Sequence, residues 1–336
     1  MRFGSEYNPL VSIIIPVKNG SGTIQSCLHS VHRSYYKKIE VIVVDDHSTD
    51  GTKELVQPFG VTLIEADEGT GANNARNLGA RHAHGDVLIF IDSDIVIHRE
   101  TILGIVERLE EEDVDAIVGL YTAKHRHENL ITQYKNLWVR YSYIKSPPAI
   151  DWLFGAISGI KRDAFNKLGG FNIDLLAVHG NDDIELGKRF SRADLSIRLD
   201  MDIEVEHLKQ YTLWSFIKNE FNRSSGFARL AVNLGEAGSS VKKGFVNVYP
   251  AFVLSTLAVA ALAVLVVLCF IGMLPPAYLL GAFGLYLLLN IRFLNYLEQV
   301  RGLFAMLFMV PFLVIDHAVC FVGSIVGVIK GLIGGK

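Results

Sequence analysis

The run Leu88–Ile97, LIFIDSDIVI, carries two carboxylates one residue apart, Asp92 and Asp94, behind an apolar stretch with the character of a buried strand. An ionised carboxylate left unpaired in an apolar interior is very costly. The pair with Ser93 between them therefore belongs at a strand end, facing a cation or the donors of a polar ligand. Two other stretches repeat the theme. Asp45 and Asp46 close the run IEVIVVDD, and Asp182 and Asp183 stand in GNDDIELGKR ahead of a short helix. A further apolar run, VSIIIPVKN, ends in Pro16, Val17 and Lys18. Hard divalent cations prefer oxygen ligands and keep positions open for phosphate. Acidic strand ends opening toward one crevice thus suit a cation together with a polyhydroxylated or phosphorylated ligand.

These residues need a frame that brings strand ends together. Apolar, β-branched runs at Val11–Pro16, at IEVIVVDD, at VTLIEA and at LIFIDSD alternate with helical stretches near Thr23–Ser34, Thr52–Gln57 and residues 73–84. That alternation predicts a parallel sheet covered by helices. The runs are apolar on both faces, as strands buried on both sides must be. Chemistry in such sheets gathers beyond the carboxyl ends of the strands, where the polar residues stand.

The bulk composition separates two regions. Half of the 336 residues are hydrophobic and the net charge is −3. A near-neutral chain lacks the basic footprint of nucleic-acid binding. Cys27, Cys269 and Cys320 lie too far apart for a metal motif or a disulfide framework. Residues 1–240 have globular character, and from Val248 the chain turns apolar. Tyr249–Met273 and Leu303–Ile329 are long enough to span a bilayer, which takes about 20 residues. Ala277–Ile291, after Pro275–Pro276, is a shorter third segment that could extend through Leu297, so two or three spans are expected. Lys242, Lys243, Arg292 and Arg301 flank these segments on the side expected to be cytoplasmic. The opening MRFGSEYNPL lacks an apolar signal core, so the globular part is expected on the cytoplasmic face of a multi-pass membrane protein. Tyr211–Leu230, with Trp214, Phe216, Phe221 and Phe227 among basic residues, reads either as a helix lying on anionic lipid or as a core helix. Asp316 and His317 are costly inside an apolar segment, and mark either function or a polar contact between spans.

Taken in order, VSIIIPVKN, VIVVDDHSTDGT, GANNARNLGARHAHGDVLIFIDSD and GNDDIELGKR resemble the inverting family 2 glycosyltransferases of GT-A fold, over about Pro9–Lys218. The resemblance implies a Rossmann-like, mostly parallel α/β domain followed by an α-helical transmembrane region. It divides residues 1–240 into a nucleotide-binding half (about 9–98), an acceptor half (about 99–210) and an interface segment (about 211–240), ahead of the membrane region 248–336. It implies a UDP- or GDP-linked sugar donor and Mg²⁺ or Mn²⁺. By motif position, Pro16, Val17 and Lys18 line the nucleotide pocket, Asp46 meets the base, and Arg76 lies near the nucleotide. Asp92, Ser93 and Asp94 form the donor and metal motif, Asp94 as direct ligand and Asp92 toward the ribose or sugar. His207 is a third candidate near the metal and phosphates. Asp183 is the implied general base, with Asp182 where the family more often has Glu. Structural alternatives stand beside these roles: an Asx turn at Asp92–Asp94, a helix N-terminus at Asp182–Asp183, a surface arginine at Arg76, a packed histidine at His207, and a plain i,i+4 pair for Glu185–Arg189.

The membrane segments and the resemblance together imply a membrane-associated acceptor, a polyprenyl phosphate or a lipid-linked glycan. The alternatives are a cell-wall, capsule or exopolysaccharide acceptor, or a non-catalytic nucleotide-sugar-binding scaffold. A Gln-x-x-Arg-Trp signature of processive synthases is absent. KNGSG is a poor match for the phosphate loop of a nucleotidyltransferase.

Overall fold

The computed structural model describes residues 8–66, 71–173, 182–235 and 249–333. They form two compact units. One draws on the described residues up to Arg126, then on Pro147 to residue 173 and on Asp182–Lys209; the other draws on His127–Ser146 and on the described residues from Gln210 onward.

The first unit is built on a nine-stranded sheet in the order β3-β2-β1-β4-β8-β6-β9-β5, with β7 paired to β9. Its strands are β1 (Val11–Val17), β2 (Ile39–Asp45), β3 (Thr62–Glu65), β4 (Val87–Ile91), β5 (Ile95–Ile97), β6 (Ala116–Tyr121), β7 (Ala149–Ile150), β8 (Ile157–Lys161) and β9 (Ile197–His207). β1 pairs in parallel with β2 and β4, and β2 with β3. This is the parallel half expected from the sequence. Beyond β4 the sheet becomes mixed: β8 runs antiparallel to β4 and β6, and β9 antiparallel to β5 and β7 but parallel to β6.

The parallel half forms because its strands have no polar face to offer water. Every residue of β1 and β4 is buried, and each fully buried Ile or Leu contributes about 1.5–3 kcal/mol. Helix α3 (Gly71–His82) covers β1 and β2. A side chain at Gly79 would stand 2.5 Å from the Ile14 methyl, so only glycine lets this helix approach so closely. β9 instead alternates in burial, as an antiparallel strand with one wetter face does. Its register against β6 shifts between Val118 and Leu120. At that irregularity, a side chain on Gly119 would meet the Ile203 carbonyl oxygen at 2.5 Å. Past the bulge β9 reaches β5, where His207 pairs with Ile95, the residue after Asp94.

The second unit is helical: α5 (Leu130–Ile144), α8 (Leu213–Asn233), α9 (Pro250–Phe270), α10 (Ala277–Leu289), α11 (Ile291–Arg301) and α12 (Leu303–Ile333). α9 and α12 are long and apolar enough to cross a membrane. α10 and α11 pass that test as a pair bent by 69° at Asn290, a broken span or a re-entrant turn. α8 does not present all its aromatics to a lipid surface. Phe216 is fully buried, while Trp214 is 74% exposed, and one face of the helix lies along α12. Gly323, Gly327 and Gly331 of α12 make this possible: a side chain at Gly327 would stand 2.1 Å from the Ser225 carbonyl oxygen. Small residues at four-residue spacing let two helix backbones approach in this way.

Asp316 and His317 make polar contacts within this bundle. Tyr134 of α5 donates to Asp316 Oδ2 at 2.7 Å, and the Tyr286 hydroxyl lies 2.7 Å from His317 Nδ1. Lys135 Nζ lies 2.5 Å from Glu220 Oε1, with both side chains buried, and Arg223 lies 3.8 Å from the other oxygen. Burial opposes the ionised form of Glu220, yet Lys135 and Arg223 hold its carboxyl below the ordinary range.

Candidate active site

The site lies in the first unit, beyond the carboxyl ends of β1, β2 and β4. Two loops build its nucleotide side. After β1, Asn19 turns with a φ of 53°. Its side-chain oxygen accepts from Thr49 N–H at 2.9 Å, its own N–H donates to Ser48 Oγ at 2.8 Å, and Gly20 N–H donates to Thr52 Oγ1 at 2.9 Å. Gly51, in the second loop, has a φ of 81°. Asp45 accepts from Ser48 N–H and orders its turn. Asp46 is 5% exposed; Lys18 Nζ lies 3.2 Å from its Oδ2, while Oδ1 is buried with no hydrogen-bond partner among the described residues. A buried acceptor in that condition is costly, and it is placed to accept from a ligand N–H. Pro16 and Val17 end β1 beside this loop.

Asp92, Ser93 and Asp94 follow β4. Arg76 is not a surface arginine: it is 6% exposed, and its Nη2 donates to Asp92 Oδ1 at 2.7 Å. Burial raises the Asp92 pKa, and Arg76 offsets part of that cost; Asp94 adds like-charge repulsion. His207 Nε2 lies 3.3 Å from Asp94 Oδ2. Burial opposes the ionised form of Asp94 too, but His207, with Lys209, holds its carboxyl below the ordinary range. Leu208 N–H also donates to the Asp94 carbonyl at 2.8 Å. Two crowded carboxylates with an adjacent imidazole form a donor set that fits a divalent cation. His207 is thus a packed histidine and a candidate ligand at once.

The second acidic centre sits at the start of α7 (Asp182–Arg192). The side chain of Asp182 lies outside the described residues, as does Asn181. Asp183 Oδ2 accepts from Gly155 N–H at 2.9 Å. The segment Asp151–Gly155 clamps this end of the helix. Lys188 donates to Asp151 at 2.6 Å, Leu153 N–H donates to the Asp183 carbonyl at 3.2 Å, and Gly187 lacks a side chain where one would meet Trp152 Cα at 2.3 Å. A side chain built on Gly155 would stand 2.9 Å from Arg76 Nη2 and 3.6 Å from Asp183 Oδ2. Gly155 therefore lies between the arginine of the Asp92 centre and the Asp183 carboxylate. Arg189 does more than pair with Glu185: it also donates to the carbonyls of Leu168 and Gly170 at 2.7 and 2.6 Å. Sequence reasoning missed this clamp and the aromatic residues Tyr121 and Phe154 near His207.

Among the described residues, the group whose metal-type donor atoms all lie within 4.8 Å of one another is Glu220, Asp316 and Cys320, in the second unit. Lys135 and Arg223 already neutralise it, and with cations in place it has no need of a metal.

The mixed sheet and its laced strand-end loops define a GT-A fold. Residues 12–169 match the model of the family described as Glycosyl transferase family 2. Glycosyltransferase AglE of Haloferax volcanii is 40% identical over 119 residues, 33% of this chain and 39% of that protein. Probable glycosyltransferase YdaM of Bacillus subtilis is 28% identical over 211 residues, 56% of this chain and 48% of that protein. The chain thus spans less than half the length of these relatives. Mannosyltransferase PcManGT of Pyrobaculum calidifontis, solved in complex with GDP-Man and Mn²⁺, matches with a TM-score of 0.59 at 20% identity, over 98% of this chain and 89% of that one. That likeness shows the fold.

Proposed function

We propose that this protein is a membrane-anchored inverting glycosyltransferase that moves a sugar from a UDP- or GDP-linked donor to a lipid-linked acceptor, a polyprenyl phosphate or lipid-linked glycan. The observation that carries the reading is a set of four acids in three centres, at the strand ends and at the start of α7. Asp46 offers an unsatisfied acceptor to a base, Asp92 and Asp94 stand beside Arg76 and His207, and Asp183 is pinned by Gly155.

Pro16, Val17 and Lys18 flank the nucleotide, and Asp46 accepts from its base. Asp92 and Asp94, with His207, would hold Mg²⁺ or Mn²⁺, which would supply Lewis-acid neutralisation of the diphosphate leaving group. Arg76 keeps Asp92 oriented toward the sugar. Asp183 takes the proton of an acceptor hydroxyl as its oxygen attacks the anomeric carbon from the face opposite the leaving group. One displacement inverts that centre. With an acceptor phosphate, already ionised, Asp183 positions the nucleophile. The Gly155 N–H fixes the carboxylate while leaving it lone pairs for the proton. The spans α9 and α12 tether the domain to a bilayer and raise its effective concentration toward a lipid acceptor. The GDP-Man and Mn²⁺ bound by PcManGT support the choice of donor and cation.

The test gives membranes carrying wild type or Asp183→Asn labelled UDP- and GDP-sugars with Mn²⁺, and counts label in the organic-solvent extract. Label dependent on wild type supports a lipid acceptor and the role of Asp183. Label confined to water-soluble polymer moves the acceptor to a polysaccharide.

A further inference from the structure

Tyr121 is the last residue of β6, and its place follows from sheet register. β6 and β9 run parallel with Tyr121 opposite Val205. Side chains two apart on a strand share a face, so His207 stands on the face that carries Tyr121, one diagonal step away. The two rings stack at 4.5 Å between centroids, with only 7° between their planes. Both residues are nearly buried, at 8% and 9% exposure. Phe154 meets Tyr121 edge-on at 5.0 Å and 61°. Phe154 is the neighbour of Gly155, whose N–H holds Asp183.

We propose that Tyr121 is a positioning residue that fixes the imidazole plane of His207 so that Nε2 stays aimed at Asp94 and the divalent-cation position; this rests on the metal-site reading above. An imidazole beside a carboxylate is a useful ligand only in the correct rotation about its Cβ–Cγ bond. The terminal torsion of histidine is broad when unrestrained. A parallel ring face at van der Waals contact removes that freedom, and Phe154 holds the tyrosine in turn. The groups that orient a metal ligand usually do so by hydrogen bonds; here the strand register supplies a stacked ring instead. Through the Phe154–Gly155 dipeptide, the same stack is continuous with the segment that holds Asp183.

The experiment titrates purified full-length protein in detergent with Mn²⁺, in the presence of GDP or UDP, and follows free Mn²⁺ by its electron paramagnetic resonance signal. Tyr121→Leu is expected to bind Mn²⁺ about 3- to 10-fold more weakly than wild type. Tyr121→Phe, which keeps the ring, should restore wild-type affinity. His207→Ala should weaken binding at least as much, and adding Tyr121→Leu to it should cost nothing more. Thermal unfolding of each variant checks that the site is intact. Wild-type affinity in a folded Tyr121→Leu protein, multiplicative losses in the double variant, or failure of Phe to rescue would each overturn the proposal while leaving the metal site standing. An absence of Mn²⁺ binding by wild type with either nucleotide would overturn the metal-site reading, and this inference with it.

Discussion

Charge is used in opposite ways in the two units. At the strand ends of the first unit, Asp46, Asp92 and Asp94 each have a basic side chain within ion-pair distance. Asp46 has Lys18 on one oxygen and nothing among the described residues on the second, while Asp92 and Asp94 lean on Arg76 and His207. In the second unit Glu220 is 1% exposed, with Lys135 and Arg223 close to its two oxygens. The first arrangement leaves a buried acceptor of Asp46 without a hydrogen-bond partner among the described residues. The second sets each buried charge beside an opposite one. The difference teaches that burial of a carboxylate says little about function until its partners are counted.

The largest effect should come from the first unit. Asp183→Asn keeps the shape and one acceptor oxygen for the two backbone N–H groups, of Gly155 and Ile184, that donate to the carboxylate, but removes the base. For a hydroxyl acceptor, transfer should fall by about 10²–10⁴-fold, with little change in the thermal midpoint. A large loss of stability in that variant would place Asp183 with the structural acids and dissolve the contrast.

Next comes the second unit. Glu220→Gln strands the Lys135 ammonium in a buried site, and losing one partner of a buried pair costs about 3–5 kcal/mol. The double variant Lys135→Met with Glu220→Met removes both charges and should recover much of that loss. Thermal unfolding in detergent reads both. Equal destabilisation by the single and double variants would mean that shape, not charge, governs the site.

A smaller and more local test separates packing from polarity in the same unit. Gly327→Leu puts a side chain where the Ser225 carbonyl oxygen lies 2.1 Å from the new Cβ; overpacking of this kind costs about 1–3 kcal/mol. Gly284→Ala, on α10, meets nothing within 4 Å and should leave the midpoint unchanged. Similar midpoints for the two variants would remove the glycine stripe as the reason α8 lies against α12.

The contrast was only half legible in the sequence. Asp46, Asp92 and Asp94 stood out because each ends an apolar run, and a parallel strand that is apolar on both faces is hard to mistake. The reversal of the sheet was hidden, because β8 is short and β9 alternates like a surface strand; its route to His207 depends on a bulge at Gly119. Arg76 could not be told from an exposed helix arginine, since its burial depends on Phe171 and Asp92, neither near it in helical spacing. Tyr121 was invisible for the same reason: only strand register brings it to His207. The four-residue glycine spacing of α12 could be read, but not its partner. α5 gave no sign that it belongs with residues beyond Gln210, because Lys135 and Glu220 meet across more than eighty positions of chain.

The smallest prediction returns to the first unit and asks how an exposed pair behaves there. Arg126 forms a two-pronged bond with Glu206, Nε and Nη2 each 2.7 Å from a carboxylate oxygen. That hydrogen bond outweighs partial burial and lowers the Glu206 pKa from its ordinary value. A folded-state pKa below the unfolded one, about 4.3, contributes stability above that pH and loses it as pH falls through the folded value. Arg126 is 44% exposed at its side chain, so solvent screening holds the contribution to about 0.5 kcal/mol. Arg126→Met should therefore sit slightly below wild type in thermal midpoint at pH 7, and the gap should close as pH drops below about 4. Raising the salt at pH 7 should narrow the gap too. For the buried Lys135–Glu220 pair the corresponding gap should hardly respond to salt, because ions do not reach it. A gap at Arg126 that ignores both pH and salt would mean that the arginine acts through its stem packing rather than its charge.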